Sequence, residues 1–596
     1  MPLFENQLNK LNKLKYIWQN KGTGGFLRFL YQRIVLKYRG KVAYHQWIAQ
    51  TRLTQRDITA AHKQIAQWQQ LKFSVIMPVY NVEARWLEKA IESVRSQIYP
   101  NWELCIADDA STLPHIHSIL NQYSKLDSRI KVVFRTKNGN ISAASNSALE
   151  LATGDYIALL DHDDELAIDA LFENAKLINR YPNADFIYSD EDKIDIKGNR
   201  LDPFFKPDWS PEYFQSCMYT CHLGVYRTSL IREIGGFRTQ YDGSQDYDLV
   251  LRVIEKTKHI YHIPRILYHW RIIPSSVTNG EQAKPWAYVA AQKALEAMLE
   301  RSSYPGYVQQ TAHPGFFRVC RNIIGQPLVS IIIPSAGKTI CTSKTLCLLE
   351  NCICSIRQLS TYRNFEIIVV DGYDIPDAIL KAIASADLHL IRCAEPFNFS
   401  IRINRGAAAA QGEFLLLLND DVEVLTPDWI ESMLELAQQS EIGAVGAKLL
   451  FPNKKIQHVG VILIQGSPGH AFYGFESEHP GYFNSNVVIR NYLAVTGACL
   501  MMRQELFQHL GGLDENFPLN YNDVDLCLKA HQAGYRNVLT PYAQLIHYES
   551  ATRQKGLRPG EWENLNRKWQ AYFNQLETDP YYNPNLSYNN PNFELY

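Results

Sequence analysis

At 596 residues the chain is too long for one hydrophobic core. Its composition, 46% apolar and 20% charged, is that of a globular protein, and a formal net charge of −1 gives no basic field for nucleic acid. No apolar run reaches the roughly 18 residues that cross a bilayer, the first residues lack the core of a signal peptide, and 11 irregularly spaced cysteines read as reduced thiols of a cytosolic protein.

Residues 1–72 read as a helical, basic, amphipathic extension. Before residue 45, Lys10, Lys13, Lys15, Lys21, Arg28, Arg33, Lys37, Arg39 and Lys41 face only Glu5, and Trp18, Phe26, Phe29 and Tyr31 are interleaved. The pattern suits peripheral contact of residues 1–45 with an anionic membrane surface, on the inner face of the cytoplasmic membrane. It equally suits a helix that packs on the body.

At Phe73 the pattern changes. FSVIMPVY is a short apolar run, Trp86, Leu87, Ala90, Ile91 and Val94 recur at helical spacing, and ELCIADD follows as a second strand. Strands alternating with helices predict an α/β domain with a mainly parallel sheet over residues 73–300. Ligands of such sheets sit beyond the carboxyl ends of the strands, where Asn81, Asp108, Asp109 and Asp161 to Asp164 fall.

A linker over 301–326 leads to a second copy of the same order, 327–575, which opens with VSIIIPSAGK. Residues 138–164 align with 396–422 without a gap, TCHLGVYRTSLIREIGGF (220–237) with TGACLMMRQELFQHLGGL (496–513), and QDYDLVLR with NDVDLCLK. The register offset grows from 258 (421 − 163) to 277 (523 − 246), which places an insertion of 19 in the second copy between these motifs. A repeat this long means duplicated domains. The last residues, 576–596, are rich in Asn, Pro and Tyr and read as an extended tail.

Three motifs carry chemistry, each present twice. LLDHDDE runs an apolar strand into Asp161, His162, Asp163 and Asp164; its counterpart is Asn419, Asp420, Asp421. Crowded carboxylates at a strand end repel one another unless a hard cation such as Mg²⁺ lies between them. One such turn could simply cap a helix, but its recurrence favours a site, with Asp163 and Asp421 as the aligned ligands. Asp246 and Asp523 begin apolar helix patterns after Gly-Gly turns, where a carboxylate can serve as general base; Asp248 and Asp525 read as structural. His269 and His547 follow the candidate bases by 23 (269 − 246) and 24 (547 − 523) residues, and are candidate third metal ligands.

Together these motifs resemble the family 2 glycosyltransferases, over about residues 73–300 and 328–555. The resemblance implies two tandem GT-A domains behind the helical extension. By it, Pro78, Tyr80, Asp108 and Asp109 would line the nucleotide site, Asp161 and Asp163 match the DxD motif, and Asp246 matches the inverting base. In the second copy Pro334, Asp371, Asn419 and Asp420 take the nucleotide-sugar positions, although PSAGK departs from PVYN, Gly372 replaces Asp109 and Asn419 replaces the first Asp of the motif. FKPDWSPEYF, YSDEDK and PFNFS look like enzymes of bacterial O-antigen or other surface polysaccharides. The resemblance further implies Mg²⁺ or Mn²⁺, UDP- or dTDP-sugar donors, a saccharide acceptor held on a lipid, and inversion, with both domains active or one serving as a binding scaffold. A dehydrogenase is disfavoured because no GxGxxG follows the first strand.

Overall fold

The computed structural model describes residues 40–273, 285–341, 345–464, 466–548 and 560–595. The chain is α/β and carries the same sheet twice. In the first repeat the strands lie in the order Ile130–Phe134, Trp102–Asp108, Phe73–Val79, Tyr156–Leu159, Gly224–Arg227, Phe186–Ile194, Ile260–Arg271, Glu165–Leu166. In the second the order is Leu388–Arg392, Phe365–Asp371, Val329–Ser335, Phe414–Leu418, Cys499–Arg503, Ile442–Leu450, Arg536–His547, Val422–Val424. The first four strands of each sheet are parallel, and the fifth runs antiparallel to both of its neighbours.

Local sequence explains the central strands. FSVIMPV and FLLLL lack polar alternation because helices cover both faces of a parallel sheet, and Phe73, Val75, Ile76, Leu415 and Leu416 are buried. The helix Ala84–Arg95 turns Trp86, Leu87, Ala90, Ile91 and Val94 inward, the stripe its spacing predicts.

The two repeats are joined by more than their connection. The interval 301–326 forms an antiparallel hairpin, Gly306–Gln310 with Phe317–Arg321. The insertion of the second repeat falls between Leu450 and Thr496 and packs on the first repeat: Phe483 stacks on Phe204 at 3.5 Å and Tyr482 Oη accepts from Phe205 N at 2.9 Å. Arg536 of the second repeat meets the buried Glu212 of the first at 2.8 Å, and Asn491 Nδ2 donates to the same carboxylate. The tail has no helix or strand among its described residues, yet it is packed, with Tyr581, Tyr582, Leu586 and Phe593 buried.

Of the N-terminal extension, residues 40–51 and Gln55–Ile65 are helical. Tyr44 is buried and donates to Asp192, and Trp47 Nε1 donates to Asn585 Oδ1 at 3.2 Å, so this part of the extension packs on the body. The basic residues from Lys10 to Arg39 lie outside the described residues. No helix among the described residues is long and apolar enough to cross a membrane.

Candidate active site

The acidic turn of the first repeat hangs from the carboxyl end of Tyr156–Leu159, at the middle of the sheet. Asp161 N donates to Tyr268 Oη, and His162 Nδ1 lies 3.1 Å from Pro78 O, tying the turn to the end of the first strand. Asp164 is buried; it accepts from Tyr268 Oη at 2.6 Å and Arg271 N at 2.7 Å. Burial pushes its carboxyl well above the usual range, and Asp163 and Asp161 push it further. Asp163 is raised for the same first reason, burial.

Asp161, Asp164 and His222 each offer a ligand atom within 4.8 Å of the others, the one such trio among the described residues. Oxygen donors dominate the trio, and its carboxylates strain against one another without a counter-charge, so the residues fit a divalent cation. His222 was not visible in the sequence: it aligns with Ala498, and comparison of two repeats finds only what they share. Its ring stacks on Tyr268 at 4.4 Å and meets Trp270 edge-on, which fixes its position.

His269, expected from the sequence as a third metal ligand, contacts an acid through one ring nitrogen. Its Nδ1 lies 2.5 Å from Asp192 Oδ1, in a node that also takes Arg200 and Tyr44. Burial alone would raise Asp192, but His269 and Arg200 outweigh it and hold the carboxyl low. The described geometry therefore groups Asp161 with Asp164 and His222, with Asp163 alongside, and ties His269 to Asp192.

Asp246 stands in the first turn of the helix Gln245–Ile254, accepting from Tyr247 N at 2.8 Å. Burial raises its pKa; His222 opposes the rise and Asp161 adds to it, so the candidate base and the trio share one electrostatic recess. Asp248 has the structural place expected of it, in ion pairs with Arg238 and Arg252. Arg252 in turn donates to Ile234 O and Gly236 O, pinning the Gly-Gly turn.

At the nucleotide positions Tyr80 is 45% exposed beside the strand end. Asp108 is buried beneath Ser111 N and His117 Nε2. Asp109 is committed internally, to Arg135 Nε at 2.8 Å and Gly139 N at 3.0 Å.

The second repeat reuses the frame with other contacts. Asp420 accepts from Ser335 Oγ at 2.6 Å, next to Pro334, and Asp371 pairs with Arg392. His547 Nε2 lies 3.2 Å from both Asp421 Oδ1 and Asn419 Nδ2, so here the three aligned residues do meet. His547 Nδ1 is buried without a hydrogen-bond partner among the described residues. Asp523 accepts from Gly497 N and Val524 N, each at 2.8 Å. Gly372 stands where Asp109 would be because Arg402, 2% exposed, fills that space: a Cβ there would lie 2.1 Å from Arg402 Nη2.

A sequence profile described as glycosyl transferase family 2 matches residues 74–235 and 330–511, once in each repeat. The chain belongs to glycosyl transferase family 2. Each repeat is a GT-A domain of that family, with the acidic turn and the helix-borne aspartate at the carboxyl edge of its sheet. Among relatives, the protein y4gI of Sinorhizobium fredii is 43% identical over 539 residues, 88% of this chain and 58% of that protein. The O-antigen biosynthesis protein RfbC of Myxococcus xanthus is 36% identical over 538 residues, 89% of this chain and 41% of RfbC. The chain thus spans about half the length of these relatives. The crystal structure of S. aureus TarS 1-349 shares 18% identity over 39% of this chain and 66% of that one, with a TM-score of 0.32.

Proposed function

We propose that the first repeat transfers a sugar, with inversion, from a UDP- or dTDP-sugar to the growing saccharide of a bacterial surface polysaccharide. The observation that carries this reading is the shared recess: a half-buried Asp246 that feels both Asp161 and His222, in a family 2 chain. Asp161, Asp164 and His222 would hold Mg²⁺ or Mn²⁺, whose charge would offset that of the leaving diphosphate. Asp246 takes the proton of the acceptor hydroxyl. The oxygen attacks the anomeric carbon from the face opposite the nucleotide, and the bond to the diphosphate breaks with its electron pair. Burial suits Asp246 to this role, since a raised pKa makes a carboxylate a stronger base.

The second repeat retains Asp523, Asp421 and His547 and is proposed as a second catalytic centre. A scaffold that binds donor or acceptor is the other reading, favoured by Asn419 in the acidic turn and Gly372 in place of Asp109. The name of RfbC supports an O-antigen-type acceptor. A lipid-linked acceptor would place the enzyme peripherally on the inner face of the cytoplasmic membrane. Asp246→Asn and Asp523→Asn should each remove a different transfer, each by about 10²–10⁴ in rate. Product analysis by mass spectrometry reads this out; a full wild-type product from either single variant shows that its domain is no catalyst.

A further inference from the structure

Of the tryptophans among the described residues, two are exposed: Trp286 at 57% and Trp562 at 40%. They occupy equivalent places. Their spacing, 276 (562 − 286), matches the 277 between the candidate bases (523 − 246). Each lies at the start of the helix that follows the last long strand of its repeat, Pro285–Glu300 and Glu561–Leu576.

Both helix starts are fastened to the loop that presents the candidate base. In the first repeat Ser244 Oγ donates to Ala287 O at 2.7 Å, and a Cβ on Gly243 would lie 3.2 Å from Trp286 Cδ1. In the second, Glu561 accepts from Leu519 N, Asn520 N and Asn520 Nδ2. Different bonds thus hold the same helix start against the loop that leads to Asp246 or Asp523, and each start carries an exposed indole. A singly exposed apolar side chain needs no explanation, but one that recurs at the equivalent place in both repeats does.

We infer that Trp286 and Trp562 are platforms for the acceptor saccharide, each stacking the C–H face of a pyranose ring while its hydroxyl edge turns to the aspartate. A pyranose is apolar on its faces and polar at its rim, which matches a flat aromatic surface beside a carboxylate. In the first repeat the same helix start also borders a cleft of about 270 Å³, lined by Pro285 and Tyr288 of that helix and by Gln310, His313 and Phe316 of the hairpin. That cleft is room for the next part of a saccharide and supplies polar groups for its hydroxyls.

The inference rests on the transferase reading, so binding and transfer are measured separately. The probes are methyl glycosides of hexoses, deoxyhexoses and N-acetylhexosamines. In steady-state assays, Trp286→Ala in the Asp523→Asn background and Trp562→Ala in the Asp246→Asn background should raise the acceptor KM by about tenfold and move the donor KM much less. Trp→Tyr at each site should recover most of the loss. In saturation-transfer NMR with UDP present, the wild type should show glycoside signals that the double Trp→Ala variant loses. Unchanged signals in that variant, or none in the wild type with any probe, overturn the inference. Signals that depend on the tryptophans in a protein showing no transfer would instead refute the transferase reading and leave the platforms standing.

Discussion

The junction between the repeats holds a histidine whose charge should make the stability of the chain depend on pH. His262 is 1% exposed at its side chain; Nε2 lies 2.9 Å from Asp190 Oδ1, Nδ1 lies 2.9 Å from Asp208 Oδ1, and the ring stacks on Tyr188. The tail is held by the same two acids: Asn583 Nδ2 donates to both oxygens of Asp190, and Asp208 N donates to Pro580 O. Burial alone would lower the pKa of His262, but Asp190 and Asp208 outweigh it and raise it from 6.5 to about 9. Below 6.5 the folded and unfolded states are both protonated and the stabilisation is complete. Between 6.5 and about 9 the folded state alone keeps the proton, so the stabilisation falls as pH rises, and above about 9 it is gone. At 1.36 kcal/mol per unit the whole effect is on the order of 3 kcal/mol in the unfolding equilibrium. Urea unfolding of the whole chain between about pH 6 and about pH 10 reads it. The unfolding free energy should fall by about 3 kcal/mol more over that range in the wild type than in His262→Gln. Equal pH dependence in the two proteins would refute the reasoning.

Other outcomes follow from the same structure. Arg536→Ala leaves Glu212 buried without its counter-charge and should destabilise the chain by about 3–5 kcal/mol, with Glu212→Gln in the same chain restoring part of it; thermal melting of the single and double variants checks this. His222→Ala should weaken Mn²⁺ binding by the first repeat in calorimetric titration, and unchanged affinity would remove His222 from the trio. Deleting residues 1–45 should reduce co-sedimentation with anionic vesicles at low salt. An undiminished pellet would leave the extension a packing element, the role Tyr44 and Trp47 already show for the helix over residues 40–51.

The sequence by itself determined the duplication, the α/β class and the two acidic motifs. These are local signals: an apolar run such as FLLLL, a helical stripe such as Trp86 to Val94, and carboxylates at a strand end can each be read within a few residues, and the repeat doubled every one of them. Only the tertiary structure decided which side chains meet. His222 joins Asp161 and Asp164 because the strand Gly224–Arg227 lies beside Tyr156–Leu159, and His269 turns to Asp192 because the neighbouring strand places that acid opposite it. The tail, with no periodic pattern, reads in the sequence only as an extended segment. Its order comes from apolar side chains and from Asn583 reaching an acid nearly four hundred residues away, a long-range contact that no local pattern encodes.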